Sequence, residues 1–108
     1  MLGQNGLRYI EYELKKKGFQ CFHEPFSKTK PDMIALTDDM MVIIELKPRV
    51  DRYTVIQLKS YIRKREFFEI LSGRKVEFWL VTPYVSQQRR EEIEELGVKI
   101  IERPVLPF

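Results

Sequence analysis

One cysteine, one histidine and one tryptophan occur in 108 residues, and each scarcity removes a class of chemistry. Cys21 has no partner for an internal disulfide, and the chain holds neither a CxxC pair nor a Cys/His cluster with zinc-ligand spacing. Its apolar surroundings in sequence fit a buried structural thiol. His23 stands alone, the pattern of a structural or surface histidine rather than a ligand. No apolar run reaches the roughly 18 residues that would span a bilayer, and the N-terminus lacks the basic, apolar, small-residue order of a secretion signal. A soluble, intracellular (cytoplasmic) protein without a membrane partner is the expectation.

What the chain does have is enough apolar material, 44% of the composition, for one compact core. A single domain spanning residues 1–108 is therefore expected. The net charge of +3 conceals an uneven distribution: residues 1–65 carry 13 Lys and Arg against 8 Asp and Glu, whereas residues 66–108 carry 6 against 8. A basic bias of this kind suits a polyanion and equally suits a solvated face, so charge alone decides nothing.

Periodicity supplies the elements. Leu7, Ile10 and Leu14 recur at helical spacing and predict a helix over 6–17 that Gly18 ends, with Glu11 on its apolar face. Residues 19–24 form a strand candidate, and 27–31 a polar loop. Two β runs follow, 32–37 and 40–47, joined at Asp38 and Asp39 as a hairpin. A helix over 52–71, an apolar strand over 76–82 stopped by Pro83, a charged helix over 86–96 with Ser86 as its N-cap, and a last strand over 98–101 complete the order αβββαβαβ. Such an order predicts an α/β fold, one central mixed sheet flanked by helices.

With a hairpin loop at 38–39, residues whose numbers sum to 77 oppose one another, and Asp32 faces Glu45. Opposed side chains have Cβ atoms about 4.5–5.5 Å apart, so the two carboxylates converge; Lys47 shares their face by strand alternation. Opposed like charges destabilise a sheet unless a cation lies between them. Mg²⁺ or Mn²⁺, hard ions held by one or two carboxylates plus phosphate oxygens, would fit, and the ion with a lysine beside it is the chemistry of phosphodiester hydrolysis. An ordinary surface ion pair has comparable weight on spacing alone.

Pro31-Asp32, a gap, then Glu45-Leu46-Lys47 resembles the PD-(D/E)xK nuclease motif, and the element order resembles the restriction-endonuclease-like αβββαβ core with an additional C-terminal αβ unit. Gln57-Leu58-Lys59-Ser60-Tyr61 resembles the QxxxY motif of RecB-type nucleases, placed in the helix after the lysine strand. That stretch, with Leu80-Val81-Thr82-Pro83 and Gly97-Val98, is similar to the catalytic domain of the longer NucS/EndoMS endonucleases, whose N-terminal DNA-binding and dimerisation domain has no counterpart in these 108 residues. The resemblance implies a metal-dependent DNA nuclease with Asp32, Glu45 and the Leu46 carbonyl as metal ligands and Lys47 as the catalytic lysine. Gln57 and Tyr61 would support them by reaching Lys47 and DNA phosphate. The first helix resembles that of archaeal Holliday-junction resolvases, which implies that Glu11 holds metal-bound water; alignment on Gly18-Phe19 would instead place Leu7 there.

Lys28, Lys30, Arg49, Arg52, Arg63, Lys64 and Arg65 flank this site in sequence and are candidate phosphate contacts, which position DNA without reading bases. Met40, Met41, Phe67, Phe68 and Trp79 read as core. The apolar C-terminal segment, residues 104–108, suggests a homodimer contact. A catalytically inactive scaffold subunit on the same fold is the rival reading, and the complete set Asp32, Glu45 and Lys47 argues against it.

Overall fold

The computed structural model describes residues 2–23 and 31–103, without the side chains of residues 2–6. Lys28, Lys30 and the segment 104–108 lie outside these. The elements are α1 (Leu2–Lys16), β1 (Gln20–His23), β2 (Met33–Leu36), β3 (Met40–Leu46), α2 (Arg52–Arg63), α3 (Arg65–Ser72), β4 (Lys75–Thr82), α4 (Gln87–Glu95) and β5 (Val98–Glu102). The five strands form one sheet in sequence order, β1-β2-β3-β4-β5. The first two pairings are antiparallel and the last two parallel, which gives the mixed α/β architecture expected.

The hairpin follows from its turn. Thr37 N–H donates to the Met40 carbonyl at 2.9 Å, while the Thr37 hydroxyl accepts from Met40 N–H at 3.0 Å. This closes the two-residue loop at Asp38 and Asp39. The register that results pairs Met33 with Ile44 and Leu36 with Met41, the sum-to-77 pairing. A slip of one residue would have turned every side chain of β3 to the opposite face.

Strand alternation then sorts two cores. Ile10 and Leu14 of α1 pack with Met33, Ala35, Val42, Ile44 and Val81 on one face. On the other, Val55, Leu58 and Tyr61 of α2 and Ile93 of α4 pack with Ile43, Val76, Phe78, Leu80 and Val98. Both parallel crossovers place their helices on this second face, as a common handedness requires. Gly18, at φ 92°, ends α1 in the left-handed region that suits glycine, and the neighbouring Phe19 N–H returns to the Leu14 carbonyl at 3.0 Å.

Two expectations are corrected. The single helix over 52–71 is two helices, broken at Lys64, where φ −97° and ψ 7° leave helical geometry and Lys64 N–H bonds to the Tyr61 carbonyl three residues back. The break lets α3 lie across β4 through Phe68 while most of its apolar residues turn away. Phe67, read as core, is 58% exposed, and Ile70 and Leu71 are exposed beside it. Phe68 and Trp79 are partly buried against the two cores, as are Met40 and Met41.

Burial predicts how these positions respond to truncation. Ile44→Ala, which empties a fully buried site between β2 and β4, should cost about 2–5 kcal/mol. Ile70→Ala, on the exposed side of α3, should change stability by less than about 0.5 kcal/mol. Urea unfolding of both variants at constant pH measures the contrast.

Candidate active site

Pro31 determines where β2 begins to pair. Lys47 N–H donates to the Val81 carbonyl on the β4 side at 3.0 Å, so Leu46, one residue back, points its main-chain groups toward β2. The residue opposite Leu46 in this register is Pro31, which has no N–H to donate. The ladder stops there, and Asp32 replaces it: its Oδ2 accepts the Leu46 N–H at 2.7 Å. This bond clamps the Asp32 carboxylate against β3, and the missing proline donor leaves the Leu46 carbonyl without a ladder partner on that side.

Glu45 is opposite Asp32 and is only 3% exposed. Two donors from α2 hold its Oε2, the Tyr61 hydroxyl at 2.8 Å and the Gln57 side-chain amide at 2.9 Å; the same amide lies 3.3 Å from the Tyr61 oxygen. Gln57 and Tyr61 are four residues apart, hence neighbours on one helix face. Their partner in the fold is therefore Glu45 rather than Lys47, because α2 packs across the strand at the height of Glu45. The helix itself is fixed by a capping box in which Asp51 accepts from Thr54 N–H at 3.1 Å and Thr54 Oγ1 accepts from Asp51 N–H at 3.2 Å.

Electrostatics record the strain of this arrangement. Burial pushes the Glu45 carboxyl up to about 8, reinforced by a hydrogen bond and repulsion from Asp32 and opposed by the Tyr61 hydroxyl and the Lys47 charge. Burial and the Glu45 charge raise Tyr61 as well, so its hydroxyl keeps its proton and remains a donor. Lys47 follows β3 on the same face and forms no ion pair among the described residues. The Asp51 carboxyl, at the start of α2, is held low mainly by the Thr54 N–H, with a smaller contribution from Lys47.

The donors fit a hard divalent cation. Two carboxylates within hydrogen-bonding reach of each other and a carbonyl freed by Pro31 are oxygen ligands on one edge, and Mg²⁺ completes its shell with water and phosphate. Among the described residues no group of three or more His, Cys, Asp or Glu side chains converges; what this edge could offer an ion is the Asp32 and Glu45 carboxylates with the Leu46 carbonyl.

The structure does not bring Glu11 to this pair. Its carboxylate is taken up by Lys15 Nζ at 2.8 Å and His23 Nε2 at 2.6 Å, and these bonds, that to Lys15 first, lower its pKa from the ordinary carboxylate value. It lies on the α1 face of the sheet, whereas Glu45 and Lys47 point to the α2 face, because the helical position that placed Glu11 inward also placed it over β1 rather than over the end of β3. His23, to which no role was given, is thus the partner that secures α1 to β1. Cys21 is half-buried and its thiol is pushed up, first by burial and then by the Glu11 charge, as expected of a structural thiol.

The basic residues separate by position. Arg49 and Arg52 are exposed at the end of the sheet that carries Lys47. Arg63 and Lys64 are exposed at the far end of α2, about 16 Å away at 1.5 Å per residue. Arg65 leaves the set of phosphate contacts: its guanidinium stacks over the Phe78 ring at 5.0 Å with Nε buried, because the turn at Lys64 rotates it inward.

A model of the PD-(D/E)XK nuclease superfamily matches residues 29–100. The chain belongs to that superfamily. No curated protein sequence gives a significant match. Among solved structures, the EndoMS-dsDNA2 complex superposes on 100% of this chain with a TM-score of 0.71 at 23% identity. A repair endonuclease from Pyrococcus abyssi covers 95% with a TM-score of 0.63 at 21% identity, and EndoMS in its apo form covers 95% with 0.60 at 23%. These likenesses establish a shared fold. The chain spans 47% of each of those proteins. Within the described residues no helix is long and apolar enough to cross a membrane.

The raised carboxyl has a measurable consequence. Glu45 titrates at 4.5 when unfolded and about 8 when folded, so between those values the metal-free folded chain holds a proton that the unfolded chain releases. Stability should therefore decline as pH rises through this window and level off above it. Glu45→Gln should flatten that slope, as read by thermal unfolding in chelator from pH 5 to 9. A slope that survives in the variant would assign it to another group.

Proposed function

We propose that this domain is a divalent-metal-dependent deoxyribonuclease that hydrolyses phosphodiester bonds, with Mg²⁺ or Mn²⁺ held by Asp32, Glu45 and the Leu46 carbonyl. The observation that carries the reading is the buried Glu45 carboxylate opposed to Asp32, on the face that also carries Lys47, in a chain of the PD-(D/E)XK nuclease superfamily. DNA as the substrate is supported by the structural likeness to a DNA-bound EndoMS and by the exposed Arg49 and Arg52 beside the site.

A bound divalent ion would polarise a phosphodiester oxygen and lower the pKa of a water for in-line attack. The residues of the chain do the rest. Asp32, clamped by Leu46 N–H, presents its remaining oxygen at a fixed position. Gln57 and Tyr61 hold Glu45 Oε2 and so fix the carboxylate, leaving its other oxygen for the ion. Lys47, a cation on the same face, is positioned to orient the attacking water or to stabilise charge developing on the phosphorus oxygens. Arg49 and Arg52 would hold the flanking phosphates without reading sequence.

Lys47→Ala should lower the cleavage rate by about a hundredfold or more while leaving the thermal stabilisation by Mg²⁺ intact, since Lys47 is not a ligand. Asp32→Asn should remove both cleavage and most of that stabilisation, with little cost to the metal-free fold, because an amide oxygen still accepts from Leu46 N–H. Turnover of oligonucleotides and melting curves with Mg²⁺ and with chelator read both variants. Lys47→Ala turnover within a few-fold of wild type would remove the lysine from the mechanism.

A further inference from the structure

Tyr53 begins a row that leads to the site. Along α2, Tyr61, Gln57 and Tyr53 are separated by four residues each, and each step of four turns the helix by about 40°. Tyr61 is buried and bonds Glu45, Gln57 is half-buried and bonds the same oxygen, and Tyr53, one turn nearer the start of the helix, is 68% exposed. The row thus runs from the buried face of α2 to its exposed flank, one turn beyond Gln57 toward the helix start that follows Lys47 and Arg49 in the chain. The Arg52 guanidinium lies 5.5 Å from the centroid of the Tyr53 ring, and Ile56, 51% exposed, extends the apolar surface beside it.

We propose that Tyr53 is a stacking platform for an unpaired base adjacent to the reacting phosphate, which makes the preferred substrate a strand with an unstacked nucleotide at the cleavage position: a single strand, a frayed end or a branch. The proposal rests on the nuclease reading above. An exposed aromatic with an arginine beside it meets the two requirements of single-strand binding, a π-face for the base and a cation for the neighbouring phosphate. Within an intact duplex the bases already stack on one another and offer no face to Tyr53, so the same residue discriminates against uninterrupted duplex. Its exposure also means that the fold does not depend on its ring.

Removing the bases separates stacking from charge. Fluorescence anisotropy in chelator, where cleavage does not interfere, would compare a labelled single strand, the same strand built from abasic residues, and a blunt duplex, against wild type, Tyr53→Ala, Tyr53→Phe and Tyr53→Trp. Tyr53→Ala should weaken binding of the base-bearing strand by about five- to a hundredfold, with abasic-strand and duplex affinity within about twofold of wild type. Phe and Trp should restore most of the loss. An equal loss on the abasic strand, a loss below about twofold on the base-bearing strand, or no preference of the wild type for bases over abasic residues would overturn the platform. Cleavage by wild type in Mg²⁺ or Mn²⁺ is scored separately: absent cleavage defeats the nuclease reading and leaves the stacking result standing, whereas cleavage with no effect of Tyr53 defeats the platform alone.

Discussion

A carboxylate buried opposite another carboxylate is the constraint around which this domain is arranged. Glu45 sits at 3% exposure with Asp32 across the hairpin, a placement that desolvation and repulsion both oppose. Three features make it tolerable. The Leu46 N–H satisfies Asp32, the Tyr61 hydroxyl and Gln57 amide satisfy one oxygen of Glu45, and a proton at neutral pH or a cation removes the remaining repulsion. Folds concentrate such strained polar groups where chemistry is carried out.

The rest of the architecture keeps that pair in register. The Thr37–Met40 turn sets which residues oppose which, and one residue of slip would separate Asp32 from Glu45. The capping box at Asp51 and Thr54 fixes the start of α2. The apolar side of α2, Val55 and Leu58, then docks on Ile43 and Leu80 and brings Gln57 and Tyr61 to the height of Glu45. Pro31 has a double effect, ending the β2 ladder and freeing a carbonyl in the same step. The proline of the motif thus has a physical role as definite as that of the acids.

The opposite face is governed by different bonds. Glu11, His23 and Lys15 tie α1 to β1, and Arg103 stacks over Tyr9 at 3.5 Å. A glutamate on an inward helix face has the same sequence pattern whether it serves a site or a structural ion pair. The decision between them lies in which strand the helix crosses.

Periodicity, turn residues and the Pro31-Asp32, Glu45-Leu46-Lys47 spacing were enough to determine the α/β class, the hairpin register and the convergence of Asp32 with Glu45, because strand alternation and a two-residue loop leave one geometry. The helix pattern over 52–71 concealed the turn at Lys64, since apolar spacing continues across it and only packing on β4 reveals the break. The same turn decided that Arg65 points inward and Phe67 outward. Tertiary structure alone settled the partners of long polar side chains: Gln57 and Tyr61 on Glu45, and Glu11 on His23 and Lys15. Sequence spacing specifies the face from which a side chain departs. What that face meets depends on how helices cross a sheet, and that is fixed by the packing of the whole core.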